Sequence, residues 1–450
     1  METDKSITAI PKVIPIIASE TIGRETFLLE DFPFSMRFAI YSSVFKYNDL
    51  MKYKFNKVFG LLLVLVAMNS FQLMAQYKTT IIVGSEMFDK YLPTIKEKRV
   101  AIIGNQTSMV GPIHLVDTLL SLGIDVKKVF APEHGFRGNA DAGEKVSDGK
   151  DGKTGLPILS LYGRKNRKPS VEKLLDVDVV IFDIQDVGAR FYTYISTMHY
   201  VMEACAEQNK KMIILDRPNP NGFYVDGPIL KKGNESFVGM HPVPIVHGMT
   251  IGEYAQMING EKWLANGIQC DLLVVKCQNY EHSDFYELPT KPSPNLPNMA
   301  SIYLYPSLCL FEGTNVSIGR GTQKPFQMIG SPLISETGLS FTPKPTPGAK
   351  HPKLEGEKCN GYDLEDFGEH YLRSLGKLYL HWVVAIYQES SSKVGFFRKD
   401  GFFKLLTGDK TIREMIETGK DANEIWESFQ EEVKRFKITR KKYLLYSDFE

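Results

Sequence analysis

The chain has 450 residues, 43% of them hydrophobic and 24% charged, a balance that builds a sizeable core and excludes the disordered and collagen-like classes. Its length sets an expectation of two domains. Outside residues 1–76, which hold eight bases and seven acids, the chain carries 46 of each, so it lacks the cation excess that a phosphate backbone demands and nucleic acid is not the expected main partner.

In chain order, residues 1–50 show no clean periodicity and read as an upstream extension of the gene model. Met51 opens a different pattern: Lys52, Lys54 and Lys57 precede an apolar run from Val58 to Met68, followed by Asn69, Ser70 and the small residue Ala75. That is the layout of a secretory signal peptide over 51–75, with cleavage near Ala75 and Leu73 as an imperfect cleavage-site residue. The run is far shorter than the roughly 20 residues a spanning helix needs, so stable membrane insertion is not expected. Export to the periplasm is the expectation.

From Thr79 onward, short β-branched runs alternate with helical patterns. Strands are expected at 81–83, 100–103, 129–131, 156–161, 177–183 and 212–215, and helices at 87–95, 113–122, 171–175 and 194–208. Runs such as Val179-Val180-Ile181-Phe182 are apolar without alternation, the mark of strands buried on both faces. The expected fold class is α/β: a Rossmann-like, doubly wound parallel sheet over 76–297 with a second, smaller α+β domain over 298–450. The junction is placed at the Pro-rich passage Pro289 to Pro297, which would break a helix or a central strand. Beyond it, helical patterns run over 364–387 and 411–436.

In such sheets the ligand crevice lies beyond the carboxyl ends of the strands. Four polar clusters sit there: Pro132-Glu133-His134-Gly135-Phe136-Arg137-Gly138 running on to Glu144, the block from Asp183 to Tyr194, the turn Asp216-Arg217-Pro218-Asn219-Pro220, and Glu312 to Thr322. Carboxylates, arginines, amides and aromatic rings together are the inventory of a carbohydrate site. Each cluster also has a structural alternative. Asp183 and Asp216 can cap helices or brace turns, and Arg190 and Arg320 can tie loops to carbonyls. Glu133 lies between a proline and a glycine turn where no helix needs a cap.

Other chemistries lack their signatures. The turns after the first strands are not Gly-x-Gly-x-x-Gly, there is no Walker loop, and no Gly-x-Ser-x-Gly elbow occurs. His134, His241 and His247 lack the spacing of zinc motifs, so neither metal nor other cofactor is expected. The five cysteines are too scattered for a disulfide framework, although Cys270 with Cys277 is compatible with a pair in an oxidising compartment.

The motifs Ala131-Pro132-Glu133-His134-Gly135-Phe136-Arg137-Gly138, Gly155-Leu156-Pro157 with Leu161-Tyr162-Gly163, the Asp183–Tyr194 block, Asp216-Arg217-Pro218-Asn219-Pro220 and Leu310-Phe311-Glu312-Gly313-Thr314-Asn315 with Gly319-Arg320-Gly321-Thr322 resemble the exo-β-N-acetylmuramidase family of peptidoglycan recycling, the NamZ-like glycoside hydrolases. The resemblance runs from about Ile81 to Tyr446. It implies a Rossmann-like domain without a nucleotide, a site in the cleft between two domains, and removal of N-acetylmuramic acid from the non-reducing ends of peptidoglycan-derived disaccharides and glycan fragments. Glu133 matches the glutamate favoured there for catalysis.

Glycoside cleavage needs an acid beside the leaving oxygen and support for an oxocarbenium-like centre. Glu133 is the expected acid; Asp183, Asp186 and Glu144 compete for the second role, as does the substrate's own acetamido group. His134, Arg137, Glu144, Gln185, Arg190, Tyr192, Tyr194, Asp216, Asn219, Glu312, Asn315 and Arg320 are the expected substrate-binding residues, with Arg190 ahead of Arg137 and Arg320 for the sugar's carboxylate. Two other classes share the architecture: a two-lobed periplasmic sugar- or muropeptide-binding protein and a nucleotide-dependent oxidoreductase.

Overall fold

The computed structural model describes residues 80–133, 135–136, 148–163 and 167–450. The expected signal segment and residues 1–50 lie outside them. Residues Ile81–Glu450 form one compact unit.

Its strands are β1 (Arg99–Gly104), β2 (Met109–Val110), β3 (Ile113–His114), β4 (Asp125–Ala131), β5 (Gly149–Lys150), β6 (Pro157–Ser160), β7 (Val179–Asp183), β8 (Lys211–Leu215), β9 (Asp271–Val275), β10 (Met328–Ser331), β11 (Ser340–Phe341) and β12 (Cys359–Asp363). Seven of them make one sheet in the order β5-β6-β4-β1-β7-β8-β9, parallel throughout except for β5 against β6. Counting only its parallel strands, the order is that of a Rossmann sheet, with chain direction reversing across the sheet at β1. The polar strand ends therefore gather on one edge.

Burial explains the sequence pattern. Every residue of β7 is buried, and Val180, Ile181 and Phe182 are wholly inaccessible. Each such side chain contributes roughly 1.5–3 kcal/mol relative to exposure. One face of β1 and β4 packs Val100, Ile102 and Val129 against Leu115, Val116 and Leu119 of the helix Leu115–Ser121. The smaller part that follows carries a three-stranded antiparallel sheet, β10-β12-β11, among helices.

Four expectations about elements change. Residues 81–83 are not a strand: Ile82 makes an isolated bridge to Gln278, and the backbone turns at Gly84, where a Cβ would stand 2.4 Å from the Val275 carbonyl oxygen. The helix Ile251–Gly260 and the edge strand β9 were not assigned from sequence, although Thr250 and Glu253 form a reciprocal capping box. The pattern over 364–387 breaks into Glu365–His370, Leu372–Leu375 and His381–Glu389, with Gly376 at φ 55° ending the second. The pattern over 411–436 is interrupted likewise after Glu417, with Gly419 at φ 85°.

Candidate active site

Glu133 follows β4 by two residues, and the Gly135 amide closes the turn onto the Pro132 carbonyl at 3.0 Å. Gly135 has φ 77°, a conformation that disfavours side chains. The Glu133 carboxyl is gripped from two directions. Tyr162, just past the neighbouring strand β6, donates to Oε1 at 2.9 Å. Thr193 donates to Oε2 at 2.7 Å. Thr193 is the N-cap residue of the helix Tyr194–Glu207, but its side chain makes no cap bond and serves Glu133 instead. A hydroxyl both donates and accepts, so this pair can hold the carboxyl protonated or ionised. Burial, then the charge of Glu133, pushes the Tyr162 phenol well above its ordinary value, so Tyr162 stays a donor.

Around Glu133 lies a cleft made of two cavities that share Glu133, Phe191, Thr193, Tyr305 and Arg320. The larger holds about 770 Å³ and the smaller about 70 Å³. The smaller is walled by Tyr192, Tyr194 and Phe326 and by Ser293 and Leu296 of the Pro-rich passage. Its rings lock edge to face: Tyr192 with Tyr194 at 4.9 Å, Tyr192 with Tyr305 at 5.6 Å and Phe191 with Tyr305 at 5.5 Å. Tyr192 donates to the Pro292 carbonyl at 2.8 Å, and Tyr194 accepts from Asn105 Nδ2 at 2.9 Å. The larger cavity adds Glu312, Lys350, His351, Lys353, Arg398 and the apolar Val238, Phe402 and Leu406. Such mixed walls suit a sugar, with rings for its faces and polar groups for its hydroxyls.

Among the described residues, Glu133 and Glu312 are the carboxylates that line the cleft. Arg320 Nε donates to Glu312 Oε1 at 2.7 Å. Burial works to raise the Glu312 carboxyl, but the charges of Arg320 and Lys353 outweigh it and hold it below its ordinary value. No group of three or more His, Cys, Asp or Glu side chains gathers as a metal ligand set among the described residues.

Several expected site residues do other work. Asp183 is wholly buried and its oxygens accept from Arg217 Nε and Nη2 at 2.6 and 2.9 Å, which makes a closed ion pair. Asp186 is buried, accepts from the Gly188 amide at 2.7 Å, and leaves Oδ1 without a partner among the described residues. Burial pushes its carboxyl up to about 7. Neither lines the cleft, so the structure does not bring either beside Glu133.

Arg190 is the clearest correction. Its guanidinium is wholly buried and donates to the carbonyls of Pro228, Val243 and Leu406 at 2.7–2.8 Å. It ties the chain at Pro228 and Val243 to the helix Phe402–Thr407 and does not line the cleft. Gln185 Nε2 donates to the carbonyls of Asp186 and Pro218. Asn219 braces the turn through Met249 and Asn221, and packs so closely that a Cβ on Gly188 would stand 2.3 Å from its Oδ1. Asp216 is a buried hub that accepts from Thr250, Gly252 and Tyr446, fastening the chain's last segment to the sheet edge. Asn315 lines a separate depression with Gly395 and Arg398. His134, Arg137 and Glu144 lie outside the described residues.

The chain matches the family model "Exo-beta-N-acetylmuramidase NamZ, N-terminal" over residues 100–300 and the corresponding C-terminal model over 303–446. It is 40% identical to the peptidoglycan beta-N-acetylmuramidase NamZ of Bacillus subtilis over 382 residues, covering 79% of this chain and 89% of that protein. The chain belongs to the NamZ family. Two solved structures of DUF1343 family proteins from Bacteroides fragilis are similar to it. One is 49% identical with a TM-score of 0.76, covering 82% of this chain and 100% of the other; the second is 30% identical with a TM-score of 0.70, covering 82% and 99%.

Tyr162, Thr193, Tyr305 and Phe326 had no role assigned from sequence. Tyr162 carried a signal, because Leu161-Tyr162-Gly163 ends a strand beside the one that delivers Glu133. The five cysteines are free and buried, and Cys277 Sγ lies 3.2 Å from the Asp216 carbonyl oxygen it faces as a donor.

Proposed function

We propose that this NamZ-family protein is an exo-acting glycoside hydrolase that releases N-acetylmuramic acid from the non-reducing end of peptidoglycan fragments, down to the disaccharide with N-acetylglucosamine. The observation that carries the reading is the Glu133 carboxyl in an aromatic-walled cleft, held by the hydroxyls of Tyr162 and Thr193. Glu133 acts as general acid: it gives its proton to the glycosidic oxygen while the hydroxyls of Tyr162 and Thr193 keep the carboxyl aimed and then stabilise the carboxylate left behind. A binding protein would hold the same sugar and return it intact, and a nucleotide-dependent oxidoreductase would need NAD. Incubation of the purified protein with the disaccharide, without additions, separates these outcomes by the appearance of free N-acetylmuramic acid.

We also propose that the protein is exported, working in the periplasm after cleavage near Ala75. The reading is supported by the lysine-flanked apolar run Val58 to Met68. Among the described residues no helix is long and apolar enough to cross a membrane. Sequencing the amino terminus of protein taken from the native envelope tests it: a start near Gln76 is expected, and an unprocessed cytosolic chain would contradict it.

A further inference from the structure

The cleft has a charged wall that proton transfer at Glu133 does not use. Arg320 lines both cavities. Its Nε is taken by Glu312, and its guanidinium carbon lies 4.9 Å from the centroid of the Phe326 ring. One edge and one face of the guanidinium are thereby fixed. Its two Nη atoms make no hydrogen bond among the described residues. What is left is the planar fork that holds both oxygens of a carboxylate at once.

Glu312 does not cancel the positive charge of this wall, because Lys353 and Arg398 stand in the same cavity. Lys353 is committed to the fold: its Nζ donates to the carbonyls of Phe311, Thr314 and Val316 at 2.8, 2.6 and 3.1 Å, holding in place the loop that follows Glu312. Arg398 is committed too, to the Glu312 carbonyl at 3.3 Å and to Asp400. His351 is exposed on the rim, 3.9 Å from Glu355. Lys350 lines the cavity as well and has a partner of its own; of Arg320, Lys353 and Arg398, Arg320 alone presents an unoccupied bidentate edge among the described residues, while the other two add field. Glu133 belongs to the same two cavities, so a sugar placed against the acid brings its ring substituents to this wall.

We propose that Arg320 is the specificity-determining residue of the cleft, its Nη fork receiving a carboxylate carried by the sugar, and that Glu312 is the positioning residue that sets the fork. The assignment rests on the function proposed above for the identity of that carboxylate, the lactyl group that distinguishes muramic acid from glucosamine. A site with a fixed cation gains a charge-assisted pair with the first sugar and meets only a hydroxyl in the second.

Calorimetric titration of the full chain with N-acetylmuramic acid and with N-acetylglucosamine tests the assignment independently of turnover. The unsubstituted protein is expected to prefer N-acetylmuramic acid. Arg320→Gln should weaken that ligand by about 10- to 100-fold and leave N-acetylglucosamine unchanged. Glu312→Gln should weaken it in the same ligand-selective way but less, a pattern that general loosening of the fold would not produce. Arg320→Lys keeps the charge without the planar fork, should fall between, and carries the test if Arg320→Gln fails to fold. Equal weakening of both sugars, or an unchanged preference, would overturn the assignment. Carboxylate selectivity that depends on Arg320 in a protein unable to hydrolyse the disaccharide would overturn the glycosidase reading and leave Arg320 in place.

Discussion

Tyr162 donates its hydroxyl to Oε1 of Glu133 across the ends of two adjacent parallel strands, at 2.9 Å. The sheet thus sets the direction of the carboxyl from β6 while Thr193 sets it from the start of a helix behind β7. Removing one hydroxyl should leave the carboxyl present but less well aimed. Tyr162→Phe is expected to lower kcat by about tenfold, the size of one hydrogen bond, with KM little changed. Thr193→Val should do the same. An unaltered kcat in both would mean that neither hydroxyl orients the acid.

Arg190 makes a contrasting prediction. Three buried carbonyls would lose the Arg190 donor in Arg190→Met; Val243 keeps the Leu230 amide at 3.2 Å, while Pro228 and Leu406 are left unsatisfied, each at a cost of about 1–3 kcal/mol. The variant is expected to melt well below the parent chain while its folded fraction keeps the parent preference between muramic and glucosamine sugars. A stable Arg190→Met protein with a collapsed preference would return the carboxylate site to Arg190.

The buried acids set a pH dependence of stability. Burial raises Asp186 from 3.8 to about 7 and Asp216 from 3.8 to about 6. Above pH 3.8 the folded chain keeps protons that the unfolded chain releases, so the stabilisation they give is complete below pH 3.8 and is lost as pH rises through about 6 and about 7. Asp186→Asn keeps an acceptor for the Gly188 amide but cannot ionise. Its melting temperature should fall less between pH 5 and pH 7.5 than that of the parent chain, by about 2–4 °C. Identical pH profiles would show that Asp186 does not titrate in this window.

The sheet was legible because strands buried on both faces must be written as apolar runs, and Val179 to Asp183 is such a run. Glu133 stands out in the sequence because an acid between Pro132 and a glycine turn has no capping task, and the structure places it in the cleft. Asp183, Asp186 and Arg190 misled for one reason. A strand end rich in polar residues is where ligands bind, but it is also where a twisted sheet must satisfy its own turns, and only burial tells the two apart. Arg190 and Arg320 look alike in sequence; one is buried with its guanidinium bonded to the Leu406 carbonyl of the helix Phe402–Thr407, and the other lines the cleft. The helix ends at Gly376 and Gly419 depend on single residues with positive φ, which periodicity averages over.

In the proposed function Glu133 protonates the glycosidic oxygen of a muramoyl substrate. The measurement that tests it most directly is the rate of N-acetylmuramic acid release from the unactivated disaccharide by the parent chain and by Glu133→Gln. A Gln at this position can still pair with Tyr162 and Thr193, so the variant should fold normally and lose about 100-fold or more of the rate. A parent chain that leaves the disaccharide intact, or a Glu133→Gln variant that turns it over at a near-normal rate, would contradict the account.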